Sequence, residues 1–397
     1  MVLFLHNRYR TTGGEERAVE GLLALVRDQL GEPAELIGRD SVELTRLGAA
    51  AGLLRGGLRP QEITRAIRLS GARVVHAHNL HPALGWRALA AAREAGARVV
   101  LHLHQYRLVC AVGVCFTRGE ECTRCSGRNT LPGVRLNCRA SVPEAAVYGA
   151  SLALWQRRLV AQADAVIVPS RFARERLREL GAPLPWERVH VLAPPVHVFP
   201  AQPASASPAQ AASASPARAA GAARDANGAY ALLVSRLAAE KGVDVAIDAC
   251  RIAGMALLIA GDGPELELLR ERAAGGEVRF LGRVDDEELA RLRAGAAIAL
   301  APSRSAETFG LAAAEAMAAG LPVAASRIGA LPELLDDDAL HAPGDPRALA
   351  AAIARLAGDR AAGEANRRRV RAICAPEVVA GALAAIYAGR GAPGAST

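Results

Sequence analysis

The chain has 397 residues, 51% of them hydrophobic, more than one core ordinarily accommodates and suited to two α/β domains of ordinary size. No apolar run approaches the ~18 residues of a membrane span, and the first run, residues 2–5, is too short for a signal peptide. The sequence therefore predicts a cytoplasmic protein, at most peripheral on the inner face of the cell membrane. Charge is uneven: residues 1–200 carry 27 Arg against 17 acids, whereas 201–397 carry 21 Lys and Arg against 23 acids. A basic half attracts nucleic acid, anionic lipid or a phosphorylated substrate, or is a solvated Arg-rich surface.

In chain order, strands are predicted at 2–6, 73–78, 98–104, 165–169 and 189–193, with helices at 15–30, 82–95 and 171–180. Short buried strands alternating with helices imply a parallel sheet covered on both faces. Residues 201–228 are almost all Ala, Ser, Pro, Gln and Gly and cannot supply a core, so they read as a linker. The alternation then restarts, with strands at 230–234, 255–260, 278–281, 297–301 and 322–326 and helices at 243–251, 264–273, 285–294 and 311–319. A last helix is predicted at 377–387. Domains accordingly fall at 1–200, with a Cys-rich loop over 105–140, and at 229–375, followed by a terminal helix and tail over 376–397. Two doubly wound domains bind ligands outside the carboxyl ends of their strands.

Segment 303–333 carries the clearest chemistry. Glu307 lies just before Phe309 and Gly310, Leu311 opens a helix, and Glu315 follows inside it. A helix N-terminus after a glycine presents backbone N–H groups and a positive dipole end, which suits a phosphate. Carboxylates on either side would accept hydrogen bonds from hydroxyls, one from a transferred sugar and one from a ribose; the generic alternative is a first-turn Glu307 and a surface Glu315. Lys241 is the only lysine among the chain's 48 basic residues. A compact ammonium that approaches a diphosphate as a point charge is one reason to keep it; a single unconverted surface residue is the other reading. Near the N-terminus, Gly13 and Gly14 follow the first strand and open a helix, where glycine lets the backbone approach a diphosphate.

The Glu307-x7-Glu315 pattern, with Ser235-Arg236-Leu237, Glu240-Lys241-Gly242, Ala260-Gly261-Asp262-Gly263-Pro264 and Leu281-Gly282-Arg283-Val284, resembles the family 4 retaining glycosyltransferases of GT-B architecture. The resemblance covers essentially the whole chain. It implies an α/β fold of two doubly wound Rossmann-like domains facing a cleft, acceptor side first and nucleotide-sugar side second, with the terminal helix crossing back onto the first domain. It implies transfer from a nucleotide-diphosphate sugar to a glycan or lipid-linked acceptor, as in bacterial polysaccharide biosynthesis. Arg236 and Lys241 would grip the diphosphate, aided by Phe309, Gly310 and Leu311, with Gly13 and Gly14 facing the phosphates from the first domain. Val284 would meet the base through its backbone, Glu315 the ribose, and Glu307 the transferred sugar. No catalytic metal is expected, because the cationic side chains do what a divalent ion does elsewhere.

The stretch His104-Gln105-Tyr106-Arg107-Leu108-Val109-Cys110 resembles one branch of the family, and His104 is the residue expected to contact sugar or acceptor. His76, His78 and His81 read as strand-end histidines or as a three-histidine metal site. Five of the seven cysteines lie between 110 and 138, and Cys110, Cys122, Cys125 and Cys138 have the spacing of a structural zinc site, which Cys115 fits less well. Reduced, unliganded cysteines in an ordinary loop are the alternative. Among other functions, a nucleotide-sugar 2-epimerase of the same fold would need added acid/base carboxylates, and a degenerate lectin-like scaffold sits poorly with an intact donor motif. A zinc-knuckle protein binding nucleic acid would need more aromatics for base stacking than 4%. Residues 153–160, with Trp155, Arg157 and Arg158, read either as a shallow membrane-seating helix or as a helix with Trp155 packed inside.

Overall fold

A computed structural model describes residues 1–9, 13–196 and 230–390, so Thr11, Thr12 and the linker predicted at 201–228 lie outside the described residues. The chain divides into two compact units, the first taking residues 1–195, 305–309 and 373 onward, the second 196–304 and 310–372.

The first unit is built on β1 (Val2–Arg8), β2 (Ala34–Asp40), β3 (Val74–Ala77) and β4 (Arg98–His102). A two-residue hairpin follows, β5 (Phe116–Thr117) and β6 (Glu120–Glu121), and then β7 (Ala165–Val168) and β8 (Val189–Val191). The main sheet is wholly parallel in the order β2-β1-β3-β4-β7-β8. Because side chains alternate along a strand, Leu3 and Leu5 face a layer with Ile63, Leu84 and Leu89, while Val2 and Phe4 face Leu22 and Val26. Val379, Leu383 and Ile386 of the terminal helix Pro376–Tyr387 join this second layer, and the Arg98 Nε donates to the Ile386 carbonyl at 3.2 Å. That packing draws the boundary to 373, slightly before the predicted 376.

Strand β2 is not predicted from the sequence. It is a half-exposed edge strand carrying Glu35, Arg39 and Asp40, so it lacks the apolar run that marks the buried strands. The helices Arg46–Arg55 and Pro60–Ser70, and most of Val142–Ala161, are also additions. The stretch 305–309, predicted within the second domain, belongs to the first unit. There the Tyr106 hydroxyl donates to the Ala306 carbonyl at 3.2 Å and the Thr308 hydroxyl to the His104 carbonyl at 2.8 Å.

The second unit contains β9 (Tyr230–Val234), β10 (Ala256–Ala260), β11 (Val278–Gly282), β12 (Ile298–Ala301), β13 (Val323–Ser326) and β14 (Leu340–His341). All are parallel, in the order β11-β10-β9-β12-β13-β14. Every residue of β10 is buried, as expected where helices cover both faces. Both units are thus doubly wound and Rossmann-like. The winding direction reverses between β1 and β3 in the first sheet and between β9 and β12 in the second, and such switch points open crevices at the carboxyl ends of the strands.

Candidate functional site

At the second switch point three loops meet so closely that glycine is obligatory. The loop after β9 ends in a 3-10 turn, Ala239–Lys241, stopped by Gly242 in the left-handed region at φ +63°. A Cβ on Gly242 would fall 2.1 Å from the Pro302 carbonyl oxygen in the loop after β12, and one on Gly261, after β10, 1.8 Å from the Ser235 carbonyl oxygen. On this edge the exposed Arg236 pairs with the buried Glu240, and Lys241 is half-buried. Arg304, which the sequence reading passes over, forms a bidentate pair with Asp244 at 2.6 and 2.8 Å, and its backbone N–H donates to the Glu240 carbonyl at 2.8 Å. The motif signal for it was only its position next to Ser303.

Gly310, at φ +94°, begins the helix Leu311–Ala318, and no side chain caps that N-terminus. The first-turn N–H groups therefore have no cap oxygen, a setting that favours an anion. Glu315, inside the helix, has its carboxylate hydrogen-bonded to the guanidinium of Arg293, a residue only 6% exposed. Glu315 is thus held by an internal ion pair that spacing alone does not reveal, because Arg293 arrives from the helix Asp286–Gly295. Val284 packs beside Tyr230, Leu232 and Leu258. The Asp336-Asp337-Asp338 run is a surface turn in which Asp336 pairs with Arg369 and Asp337 with Arg327. Glu307, half-buried, and Phe309, buried, lie in the 305–309 stretch of the first unit.

At the first switch point Asn7 and Asn79 clasp the central strands: the Asn7 backbone N–H donates to the Asn79 carbonyl at 2.7 Å, and Asn79 Nδ2 to the Asn7 carbonyl at 2.6 Å. Beside them His76, His78, His102 and His104 stack, with ring centroids as close as 4.2 Å for His102 and His104. Ring nitrogens of His76 and His102 are 3.2 Å apart, those of His78 and His104 2.8 Å, and the Tyr387 hydroxyl is 2.8 Å from His76 Nδ1. Burial makes a charge here costly and pushes the His76 pKa down to about 3; His78, His102 and His104 are lowered too, the last against the upward pull of Glu15 and Glu16. The stack is neutral at pH 7.

His76, His78 and His102 are, among the described residues, the trio of metal-ligating groups whose ligand atoms all lie within 4.8 Å of one another. The combination of His76, His78 and His81 is not assembled. His81 follows the strand end and lies against Tyr148, ring centroids 5.8 Å apart, while His102 reaches the stack from the neighbouring β4. His102 is thus a residue sequence reasoning missed; its alternation with His104 was the available signal.

His78 and His104 border a cavity of about 40 Å³ with Tyr9, Glu15, Gln105 and Arg107. Its wall is a polar network: the Tyr9 hydroxyl and Gln105 Nε2 each donate to Glu15 at 2.9 Å, and Arg107 donates to the Gln105 side-chain oxygen at 3.1 Å. His78 Nε2 is buried and has no hydrogen-bond partner in the protein, as a group directed at a bound hydroxyl would be. Gly13 stands at the start of the helix Gly14–Asp28, but its N–H donates to Glu16 at 2.8 Å, so that amide closes its own helix cap. Against the upward push of burial, the His6 side chain and the Tyr9 and Gly13 N–H groups hold the Glu16 carboxyl below its ordinary range.

Cys110, Cys115, Cys122, Cys125 and Cys138 line a second, separate cavity, whereas Cys250 and Cys374 are buried elsewhere. Trp155 donates to the Leu53 carbonyl at 3.1 Å and packs on Trp86, so its ring is held inward while Leu154 and Arg157 are exposed.

Residues 228–359 match the family model described as Glycosyl transferases group 1, and residues 13–195 that described as Glycosyl transferase 4-like domain. The chain is 40% identical over 141 residues to a GDP-mannose-dependent alpha-(1-6)-phosphatidylinositol dimannoside mannosyltransferase of Mycobacterium tuberculosis, covering 34% of this chain and 36% of that protein. It is 40% identical over 152 residues to a glycogen synthase of the same organism, covering 35% and 36%. The match thus spans about a third of the length of these curated relatives. Among solved structures, a sucrose-phosphate synthase from Thermosynechococcus elongatus is similar with a TM-score of 0.68 at 20% identity, over 98% of each chain. Anabaena HepE in complex with UDP and glucose is similar with a TM-score of 0.61 at 19% identity, over 96% of this chain and 98% of that one. At such identities the structures establish the shared fold.

Proposed function

The chain belongs to the family 4 glycosyltransferases, and on that premise we propose that it is a retaining enzyme that moves a sugar from a nucleoside-diphosphate sugar to a glycan or lipid-linked acceptor. The observation that carries this reading is the second switch point, where Arg236, Lys241 and the uncapped start of the helix Leu311–Ala318 sit on loops leaving the adjacent strands β9 and β12. Breaking the sugar–phosphate bond leaves negative charge on the departing diphosphate. Two cationic side chains and a positive helix end stabilise that charge in place, with no reorganisation as the bond breaks. The reading accordingly needs no divalent ion at the phosphates. The names of the relatives support the same donor class, one being GDP-mannose-dependent and another a glycogen synthase.

In this reading Glu307 accepts a hydrogen bond from the transferred sugar, Glu315 meets the ribose in an orientation set by Arg293, and Val284 lies by the base. Neutral His104 contacts a sugar or acceptor hydroxyl beside His78. The acceptor attacks from the face the diphosphate leaves, so the protein works by positioning and electrostatics and needs no covalent intermediate. We place the enzyme in the cytoplasm with peripheral contact to the inner membrane face, a reading supported by the Arg surplus of residues 1–200 and by exposed Leu154 and Arg157.

The test is a thermal-shift panel of nucleoside diphosphates and their sugars, followed by product analysis with the donor that stabilises most. Transfer with retained anomeric configuration supports the proposal. Donor conversion without any acceptor indicates an epimerase, and no stabilisation by any nucleoside diphosphate rules the reading out.

A further inference from the structure

The cysteine loop holds none of the residues assigned to the donor, yet among the described residues it contains most of the non-glycine positions with positive φ. Of the five non-glycine residues with positive φ among the described residues, four lie here: Cys115, Arg118, Asn137 and Ala140. Such conformations persist only where the surroundings over-determine them. Regular structure supplies little of that: the hairpin β5–β6 has two-residue strands and the helix Leu131–Arg135 a single turn.

The loop instead closes on a cavity of about 20 Å³ whose wall contains five thiols and otherwise small or apolar groups such as Leu136, with Thr117 the one hydroxyl. That volume suits one ion or one water. A water needs two to four polar partners, whereas a wall of thiols with neither carboxylate nor imidazole is a soft ligand set of the kind that selects zinc. Two of the thiols also reach polar neighbours, Cys138 Sγ the Thr117 hydroxyl at 3.6 Å and Cys125 Sγ the Thr130 carbonyl at 4.0 Å.

The five thiols are not equivalent. Cys115 is 1% exposed and belongs to the apolar core with Tyr106, Leu108 and Val109, whereas the other four are half-buried around the cavity. The histidine trio does not compete, because the ring nitrogens of His76 are already engaged by Tyr387 and His102, and His78 Nδ1 by His104.

We infer that Cys110, Cys122, Cys125 and Cys138 bind one structural zinc ion as thiolates, and that Cys115, buried in the apolar core, is not a ligand. Among the described residues no three of these sulfurs lie within 4.8 Å of one another, so a zinc ion about 2.3 Å from each would draw them inward from the rim of the cavity. Four thiolates leave no open position, so the ion staples the loop that carries Tyr106 and Arg107 and does not enter the chemistry.

The experiment is metal analysis of untagged full-length protein and of Cys115→Ala, Cys122→Ser and Cys138→Ser, with cobalt exchanged for zinc to read the ligand set from its absorption spectrum. The expected result is one equivalent of zinc in the wild-type protein and in Cys115→Ala, the cobalt spectrum of a tetrahedral four-thiolate site in both, and loss of metal in the two serine variants. If those variants do not fold, titrating folded wild-type protein with a mercurial should release the zinc as four thiols react. Wild-type protein without metal overturns the proposal, seven reactive thiols then indicating an ordinary reduced loop and fewer a disulfide. Metal loss in Cys115→Ala as complete as in Cys122→Ser overturns the assignment of Cys115. Donor-induced thermal stabilisation reports on the second unit and stands or falls separately.

Discussion

Replacing Gly261 by Ala tests whether the donor edge is built by close backbone approach. The added Cβ would lie 1.8 Å from the Ser235 carbonyl oxygen, and that oxygen is main chain, so no side-chain rotation relieves the clash. The residue is also at φ +147°, where L side chains are strained. Gly254→Ala is the matched control, since φ there is +62° and nothing lies within 4 Å of the new methyl. The control should carry only the left-handed penalty, about 1–2 kcal/mol, or ~2–8 °C in Tm for a domain of this size. Gly261→Ala adds displacement of the Ser235-Arg236 backbone, so about 3 kcal/mol or more is expected, at the upper end of single substitutions. Because Arg236 moves with that backbone, stabilisation by nucleoside diphosphate should also disappear in Gly261→Ala and persist in Gly254→Ala. Denaturant melts and thermal shifts with and without nucleotide read both quantities. Equal stability of the two variants, with equal nucleotide response, would refute the close-packing argument.

Other predictions address the charges. Lys241→Ala and Glu307→Ala should melt near wild type and lose ~10² or more in turnover, as removal of a group acting on transition-state charge does; full activity in either removes that residue from the mechanism. Burial holds the folded-state pKa of His76 at about 3 and of His81 at about 4, while an unfolded chain protonates these rings near their ordinary 6.5. The unfolded state therefore binds more protons below that value, and stability should be full above about pH 6.5 and fall steadily toward pH 4. A Tm that stays flat between pH 7 and 5 contradicts this reading of the buried histidines. If the basic first unit meets anionic lipid, the protein should sediment with anionic but not neutral vesicles, and less so at high salt or in Arg157→Glu/Arg158→Glu. Equal recovery in the supernatant with both vesicle types at low salt would point to an acceptor away from the membrane.

The parallel-sheet architecture was legible in the sequence because burial on both faces of a strand leaves a local mark: short runs such as 99–101 and 256–260 are apolar throughout. The helix start at Gly310 and the spacing of the cysteines are likewise local in sequence, and Lys241 as the sole lysine is read from composition. Only the tertiary structure decided which side chains meet. Strand order brings β4 beside β3, so His102 rather than His81 joins His76 and His78. Helix Asp286–Gly295 delivers Arg293 to Glu315, and the terminal helix delivers Tyr387 to His76. Strand β2 escaped notice for a related reason, since an edge strand's half-exposed pattern resembles a loop until its partner β1 is known. Local composition records how deeply each segment is buried, whereas pairings between elements far apart in the chain follow from the order in which the strands assemble, and no short stretch of sequence carries that order.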